Sequence, residues 1–422
     1  MNAIDLFAGA GGWSHGWTEA TGHEPMVAVN HCAHAVRLHT LNHPSTEHWC
    51  ESVQDVSPHA AVRGRRVDWL HLSPDCTHFS RAKGGKPRKQ EIRGLAWLGV
   101  DWAEAVRPAV LSLENVAEFE GWGPLDADGQ PIKARAGETF QEFVAELRDL
   151  GYQVEWRVLS AADYGAPTIR RRLYLIARCD GRPIRWPEPT HGPGRAKPWR
   201  TAAECIDWTL PCPSIFTRKK PLAEATLKRI AAGVVRFVLK GQPFIVTCNH
   251  SGDGFRGQGL DEPMKTITAS RDAHGLVAAF LARHYTGMVG EDLRKPLPTV
   301  TAIDHHSLVT ATLGGAQANP VAAFITTYYQ QGGTANRVDQ PLPAVVTKAR
   351  HGLVTIEING NSYAITDIGM RMLAPRELAR AQGFPDSYVL EGTKAQQIAR
   401  IGNSVCPQVA EAIVRANKEQ GA

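Results

Sequence analysis

The feature that most constrains the fold is an alternation of short apolar runs with helical patterns between Met1 and Ile184. Short apolar runs predict buried strands, and the segments between them have the 3.6-residue periodicity of helices. This alternation is typical of an α/β fold with a doubly wound, mostly parallel sheet, whose ligands bind beyond the carboxyl ends of the strands. The predicted strands are Ala3–Phe7, Pro25–Asn30, Val67–Leu72, Ala109–Glu114, Gln153–Leu159 and Leu173–Ala177.

One helix is well defined by its pattern. The segment ETFQEFVAELRDLGY carries a single apolar stripe, made of Phe140, Phe143, Val144, Leu147 and Leu150. We expect this stripe to pack against the predicted sheet.

Length and composition limit the class of protein. A chain of 422 residues is too long for one ordinary core, and its net charge of +5 means that a nucleic-acid surface would be a local concentration of Lys and Arg. No long apolar run predicts a membrane span, and the strand-like NAIDLF start leaves no room for a signal peptide, so we expect a cytoplasmic protein. Eight cysteines without a Cys-x-x-Cys pair argue against a disulfide scaffold and a zinc ribbon.

Composition changes after Arg182, where RPIRWPEPTHGPGRAKPW is rich in Pro, Gly and basic residues. This stretch cannot continue a helix or a central strand, so it indicates a domain boundary. We predict a ligand-binding α/β domain over residues 1–182, a smaller β-rich domain over 183–365 and a helical return to the first domain over 366–422.

A glycine-rich turn, DLFAGAGG, follows the first predicted strand. Gly9, Gly11 and Gly12 would let the backbone approach a ligand there, although a plain tight turn has the same pattern. The spacing differs from the G-x-G-x-x-G of Rossmann dehydrogenases. Phe7 is placed to stack on an adenine.

The segment LHLSPDCTHFSRAKGGKP places Cys76 just after an apolar strand. A buried core cysteine is the ordinary interpretation, but the flanks are polar and the following loop is basic without an acidic residue. A positive field favours the thiolate, which is the nucleophilic form, so we predict that Cys76 is a nucleophile. Five basic residues are expected to contact phosphates: Arg81, Lys83, Lys86, Arg88 and Lys89.

Three charged residues complete the candidate site. Glu114 ends a strand at the same edge of the sheet, where a protonated carboxyl could assist attack on a pyrimidine, although an ordinary strand-end glutamate would fit as well. Arg170 and Arg172 begin another strand, where they could contact phosphate or brace the pocket of the nucleophile.

Taken together, these blocks resemble the DNA cytosine-5 methyltransferases. The matching segments occur in the order of that family, over about residues 1–180 and 366–418: DLFAGAGG, the loop of Cys76, ENV, GYQVEWRVLSAADYGAPTIRRRLYLIA, RELARAQGFPDSY and IGNSVCPQVAEA. The β-rich segment between them occupies the place of the target-recognition domain of that family.

The resemblance implies a Rossmann-like methyltransferase sheet and S-adenosylmethionine as the cofactor, without a metal. Cys76 would attack carbon 6 of a cytosine swung out of the duplex, while Glu114 donates to ring nitrogen 3 and Arg170 and Arg172 lie beside the nucleophile. Asn30 stands where the family usually has an acidic residue that binds the ribose. The residues implied to bind the cofactor are Phe7, Gly9, Ala10, Gly11, Asn30, Asp55, Leu95, Asn403 and Val405.

The implied partner is double-stranded DNA with a specific sequence, read through the β-rich segment. We expect a monomer, and a restriction endonuclease is a possible cognate partner. Two alternatives stay open: the same chemistry on RNA, or a non-catalytic DNA-binding protein of this fold. The chemical positions Cys76, Glu114, Arg170 and Arg172 are all present, which argues against the second.

The β-rich segment contains three similar units that open with Phe244, Phe280 and Phe324. They close with His274, His306 and His351, and the uneven lengths favour a repeated hairpin-like element over a solenoid. We interpret these histidines as turn residues, with contact to DNA as the alternative.

A histidine-rich stretch, NHCAHAVRLHTLNHPSTEHWC, suggests metal binding at first sight. Helical spacing puts His31 and His34 on one side, but no third ligand recurs in register with them. A polar helix near the cofactor edge is the interpretation that we favour.

Overall fold

The computed structural model of the chain describes residues 1–74, 94–127, 129–220, 295–297, 299 and 361–418, together with eight strands between residues 244 and 358. Its contacts divide the chain into two compact units. The first contains Met1–Cys205, Pro296–Ile303 and Pro375–Ala422, and the second contains Ile206–Lys295 and Asp304–Ala374. The functions predicted for the three segments of the sequence stay predictions.

A seven-stranded sheet forms the centre of the first unit, in the order β3-β2-β1-β4-β5-β7-β6. Strands β1 to β5 run parallel, and β7 is antiparallel to both β5 and β6. The strands are β1 Ala3–Leu6, β2 Val27–Val29, β3 Glu47–Trp49, β4 Trp69–Leu72, β5 Val110–Asn115, β6 Gln153–Ser160 and β7 Arg171–Arg178. The mostly parallel sheet confirms the predicted fold class, and all six predicted strands are present; β3 was not predicted.

Helices cover both faces of this sheet. They are α1 Gly12–Thr21, α2 Ala33–Asn42, α3 Pro58–Val62, α4 Leu98–Val106, α5 Glu138–Asp149, α6 Pro375–Gln382, α7 Lys394–Gly402 and α8 Pro407–Asn417. The stripe predicted for α5 is confirmed, since Phe140, Phe143, Val144 and Leu147 are fully buried in the core of one face. Leu150 packs against the same core while partly exposed.

The core of the other face joins the two ends of the chain. Trp13 and Trp17 of α1 share it with Trp69 of β4 and with the apolar side of α8. Helices α1 and α8 approach so closely that a Cβ on Gly16 would overlap the Pro407 carbonyl oxygen. Helix α8 therefore belongs to the same core as the sheet.

The second unit is built from antiparallel strands. A six-stranded sheet has the order β15-β16-β11-β10-β8-β9, and a three-stranded sheet has the order β13-β12-β14. The strands are β8 Phe244–Thr247, β9 Gly257–Gly259, β10 His274–Arg283, β11 His306–Gly315, β12 Phe324–Tyr329, β13 Gly332–Arg337, β14 His351–Leu353, β15 Ile356–Ile358 and β16 Asn361–Met372. The repeated histidines His274, His306 and His351 each occupy the first position of a strand.

None of the helices in the described part of the chain has the length and apolarity that crossing a membrane requires.

Candidate active site

The glycine-rich turn lies at the carboxyl end of β1, between that strand and α1. Phe7 and Gly11 both have left-handed backbone conformations, with φ values of 63° and 79°. For a phenylalanine this conformation costs roughly 1–3 kcal/mol, and residues held in this way are concentrated at ligand sites. The turn is thus a fixed and strained loop at the edge where ligands of parallel sheets bind.

The two sides of this turn differ in what faces them. A Cβ added to Gly11 would lie 2.5 Å from Tyr388 Oη and 3.0 Å from His43 Nε2, so protein closes that side. Among the described residues, a Cβ added to Gly9 would meet only the Phe7 carbonyl oxygen, at 3.9 Å. Within the described part of the chain, space for a ligand therefore remains beside Gly9.

Two of the other residues predicted for cofactor binding also lie at this edge. Val405 is buried, and its carbonyl oxygen is so close to Gly12 that a Cβ there would overlap it. Asn30 directly follows β2, which pairs with β1 in parallel register through Leu6 and Val29. The structure thus brings Val405 and Asn30 to the turn.

For the remaining residues predicted to bind the cofactor, the structure gives the secondary-structure element and the exposure of each. Asp55 is exposed at the end of the short 3-10 helix Val53–Asp55, and Leu95 is half-buried at the start of another, Leu95–Trp97. Asn403 is exposed at the carboxyl end of α7. Their contact with a cofactor stays a prediction.

A buried charge cluster occupies the ends of β5 and β7. Glu114 Oε1 lies 3.2 Å from Arg172 Nε and 3.6 Å from Arg170 Nη2, and all three side chains are largely buried. Neither guanidinium is aligned for a hydrogen bond to this oxygen, which accepts none from the described residues. Arg170 Nη1 also donates to the Gly402 carbonyl oxygen over 2.9 Å. Two positive groups thus hold the carboxylate while Oε1 keeps its capacity for a hydrogen bond.

The neighbouring titratable side chains of this cluster are uncharged at neutral pH. Burial raises the pKa of the Cys406 thiol to about 11 and raises the pKa of the Tyr174 hydroxyl well above its ordinary value. Neither Cys406 nor Tyr174 therefore adds a charge to the cluster.

The strand that leads to Cys76 lies beside this cluster. β4 pairs in parallel with β5, matching Leu72 with Leu113, and Asn115 Nδ2 donates to the Pro74 carbonyl oxygen over 3.3 Å. Cys76 itself and the basic residues Arg81, Lys83, Lys86, Arg88 and Lys89 lie outside the described residues. The described chain ahead of Cys76 therefore ends at Pro74, next to the end of β5 that carries Glu114.

Sequence reasoning missed a polar cluster behind the glycine turn. Ser14 donates to Asp5 Oδ2 over 2.7 Å, His39 Nε2 lies 3.0 Å from the Ser14 hydroxyl, and His39 Nδ1 lies 2.8 Å from His48 Nε2. Burial raises the pKa of Asp5 to about 7, against the effect of the Ser14 hydrogen bond, and lowers that of His39 well below its ordinary value. The histidines of this cluster are therefore neutral at neutral pH.

The helix predicted in the histidine-rich stretch is α2. His39 lies on its buried face, and the buried His43 is the C-cap residue four positions further on, whereas His31 and His34 are exposed. That i, i+4 spacing was the available signal for the cluster. Among the described residues, no group of three or more His, Cys, Asp or Glu side chains could hold a metal ion.

Comparison with known proteins agrees with this fold. The sequence profile of the C-5 cytosine-specific DNA methylases matches residues 1–201 and 301–419. The chain therefore belongs to the C-5 cytosine-specific DNA methylase family, and its enzyme class is that of the DNA (cytosine-5-)-methyltransferases. The alternative of a non-catalytic protein is not favoured by this match.

Two relatives that match nearly the whole chain are named type II methyltransferases. The type II methyltransferase M.AgeI of Thalassovita gelatinovora is 25% identical over 99% of both chains. The type II methyltransferase M1.HphI of Haemophilus parahaemolyticus is 26% identical over 99% of this chain and 86% of its own length. A crystal structure of a prophage-encoded protein from E. coli, described as a DNA modification methyltransferase, has a TM-score of 0.52 at 19% identity and covers 99% of this chain and 98% of its own. That structural likeness shows the shared fold.

Proposed function

We propose that this protein transfers a methyl group from S-adenosylmethionine to carbon 5 of cytosine in a specific duplex DNA sequence, as part of restriction–modification or of phage or host DNA modification. The observation that carries this proposal is the buried Glu114, held by Arg170 and Arg172 beside the strand that leads to Cys76. A carboxyl group beside a nucleophile is what activation of a pyrimidine ring requires.

The glycine turn and its neighbours fit S-adenosylmethionine. The space beside Gly9 admits a ligand, Phe7 is fixed at the end of β1, and Val405 supports the start of α1. We assign the nucleoside part of the cofactor to these residues, to Ala10 and Gly11 and to Asn30, with Asp55, Leu95 and Asn403 completing the site. When bound, the cofactor supplies a methyl group on a positively charged sulfur.

The chemistry of the chain's own residues follows from the weak nucleophilicity of cytosine at carbon 5. The Cys76 thiolate forms a bond to carbon 6, and Glu114 donates a proton to ring nitrogen 3, so the ring becomes electron-rich at carbon 5. Carbon 5 then takes the methyl group. A base removes the proton from carbon 5, the double bond between carbons 5 and 6 forms again as the thiolate leaves, and ring nitrogen 3 returns its proton to Glu114.

The roles of the other charged residues support this sequence of steps. Arg170 and Arg172 hold the Glu114 carboxyl group in one position, which a proton donor requires. The target base must leave the duplex to reach a side chain at the end of a strand. The basic residues between Arg81 and Lys89 would then contact the phosphates around the vacated position.

The nucleophile can be tested by trapping. The recognised sequence is first read by bisulfite sequencing of DNA from cells that express the protein. A duplex with 5-fluorocytosine at the target cannot lose a proton from carbon 5, so the covalent adduct should persist after methyl transfer. We expect a denaturant-resistant protein–DNA band that requires S-adenosylmethionine and disappears in Cys76→Ala, while DNA binding is retained.

The matched control is Cys50→Ala, since Cys50 is an exposed free cysteine of the same unit. This variant should form the band at the wild-type level. A Cys76→Ala protein that still forms the band or still methylates would contradict the mechanism. A band with fluorinated RNA and none with any duplex DNA would favour RNA as the substrate.

A further inference from the structure

Tyr388 contacts the glycine turn from a distant part of the chain. Its hydroxyl donates to the Ala10 carbonyl oxygen over 2.6 Å and lies 3.3 Å from His43 Nε2. The Tyr388 hydroxyl oxygen is also the atom closest to the position that a Cβ on Gly11 would take. Tyr388 is thus in contact with the turn at Ala10 and Gly11.

The turn depends on contacts of this kind because it has no cap of its own. Gly11 is the N-cap residue of α1 and has no side chain that could bond the first amides of the helix. The left-handed backbone conformation is unfavourable for Phe7, and at Gly11 it is one that favours glycine. Contacts with the surrounding protein must therefore hold the turn in this conformation. The bond to the Ala10 carbonyl acts between these two residues.

Tyr388 itself is held firmly. Its ring packs against Phe384 at 4.5 Å and against the edge of His15 at 5.4 Å between ring centroids. The Asn42 side chain bonds both backbone groups of Val389, accepting from its amide over 2.8 Å and donating to its carbonyl oxygen over 3.1 Å. These contacts therefore hold the Tyr388 side chain in the position from which its hydroxyl bonds Ala10.

We infer that Tyr388 is a positioning residue of the S-adenosylmethionine site, whose hydroxyl holds the Ala10–Gly11 turn in its binding conformation. This inference rests on the proposed cofactor site and adds a residue outside the segments predicted to contact the cofactor. Burial lowers the pKa of His43 to about 4, so the histidine beside the hydroxyl is neutral under assay conditions and Tyr388 keeps its proton.

The test compares two tyrosine-to-phenylalanine variants. Tyr388→Phe removes the hydroxyl and keeps the ring that packs against Phe384. Tyr152→Phe is the matched control, because Tyr152 is equally buried and its hydroxyl donates to the Pro108 carbonyl oxygen over 2.9 Å, near the start of β5 at the opposite edge of the sheet. Both variants lose one buried hydrogen bond of the same type.

Binding of S-adenosylmethionine is measured by calorimetry, kinetic constants by methyl incorporation, and stability by urea unfolding. We expect Tyr388→Phe to raise the Kd and the KM for S-adenosylmethionine about five- to tenfold, the effect of losing one hydrogen bond. Its kcat and its KM for DNA should stay within twofold of wild type. Tyr152→Phe should lose comparable stability without a change in cofactor binding.

Two results would overturn the inference while leaving the proposed function intact: cofactor binding by Tyr388→Phe equal to wild type, or an equal loss of binding in Tyr152→Phe. A wild-type protein that does not bind S-adenosylmethionine would contradict the proposed function, and this inference with it.

Discussion

At the scale of single residues, the Glu114 cluster makes a prediction that separates chemistry from stability. Glu114→Gln keeps the shape of the side chain but replaces a carboxyl group, which can take up and transfer a proton, by a neutral amide that cannot. We expect kcat for methyl transfer to fall about 100-fold or more, the usual effect of losing a general acid. The free energy of unfolding should fall by roughly 3 kcal/mol, because two buried guanidinium groups lose their anion.

The matched control lies at the other end of β7. Asp180 pairs with the buried Arg178 at 2.6 Å, and this arginine lowers the pKa of Asp180. Asp180→Asn should therefore also reduce stability, measured by urea unfolding, while kcat stays at the wild-type value. Wild-type turnover by Glu114→Gln in the same assay would refute the assigned role of the glutamate.

Individual site residues differed in how far the sequence could predict them. Glu114 and Arg170 follow from their places at strand ends and from the resemblance to a known family. Tyr388 could not be predicted, because its hydrogen bond to Ala10 joins residues 378 positions apart. A tyrosine after a Pro-Asp pair indicates only a turn, and no local pattern shows which carbonyl its hydroxyl will reach.

At the scale of elements, the contact of α1 with α8 predicts that a glycine-to-alanine substitution in α1 lowers the free energy of unfolding, although this substitution normally raises it inside a helix. Gly→Ala inside a helix is normally stabilising by about 0.5–1 kcal/mol. In Gly16→Ala the new methyl group would overlap the Pro407 carbonyl oxygen and lie 2.7 Å from Ala410 Cβ, so α8 must move. We expect a loss of about 1–3 kcal/mol in the free energy of unfolding, as in other overpacked cores.

Gly121→Ala serves as the comparison, since a Cβ there would have no heavy atom of the described chain within 4 Å. Urea unfolding of this variant should give wild-type stability or slightly more. If Gly16→Ala were as stable as Gly121→Ala, the close packing of the two helices would be wrong.

Elements were predictable where their residues form a long or apolar pattern. The stripe of α5 and the fully buried β5 fulfil this condition. Strand β3 escaped prediction because Glu47, His48 and Trp49 are only three residues, all half-buried, within a histidine-rich stretch. Its partner β2 is what defines it as a strand, and pairing between segments is not a local property.

At the scale of the whole molecule, the division into two units predicts which residues must be exchanged to give this protein the DNA sequence specificity of a relative. We expect that exchanging residues 206–295 and 304–374 for those of a relative moves methylation to the site of the donor and leaves S-adenosylmethionine binding unchanged. The segment Pro296–Ile303 must stay, because the fully buried Leu297 pairs with Thr168 and its backbone bonds Pro167 and Ile169, next to Arg170.

Bisulfite sequencing reads the site that the chimera methylates, and calorimetry reads its cofactor affinity. A second chimera that also replaces Pro296–Ile303 should be less stable and less active. Retention of the original site by the first chimera would show that sequence choice lies elsewhere in the chain.

The division into a sheet with helices and a β-rich insert followed from composition and periodicity. The membership of Pro296–Ile303 in the first unit could not be predicted in this way. A single leucine in a Pro-containing stretch of the insert does not indicate that it pairs with the segment just before β7, more than a hundred residues earlier. Such long-range pairings are determined by the folded backbone as a whole.

The late position of α8 in the chain has a consequence for synthesis. A hydrogen bond from Arg415 to the Glu19 carbonyl oxygen spans 396 residues, and the tryptophans of α1 and β4 share their core with α8. On the ribosome, Trp13, Trp17 and Trp69 therefore emerge long before the helix that covers them. Until translation reaches α8 the nascent chain carries an exposed aromatic surface, the kind of surface that chaperones bind and that makes prematurely terminated products aggregate.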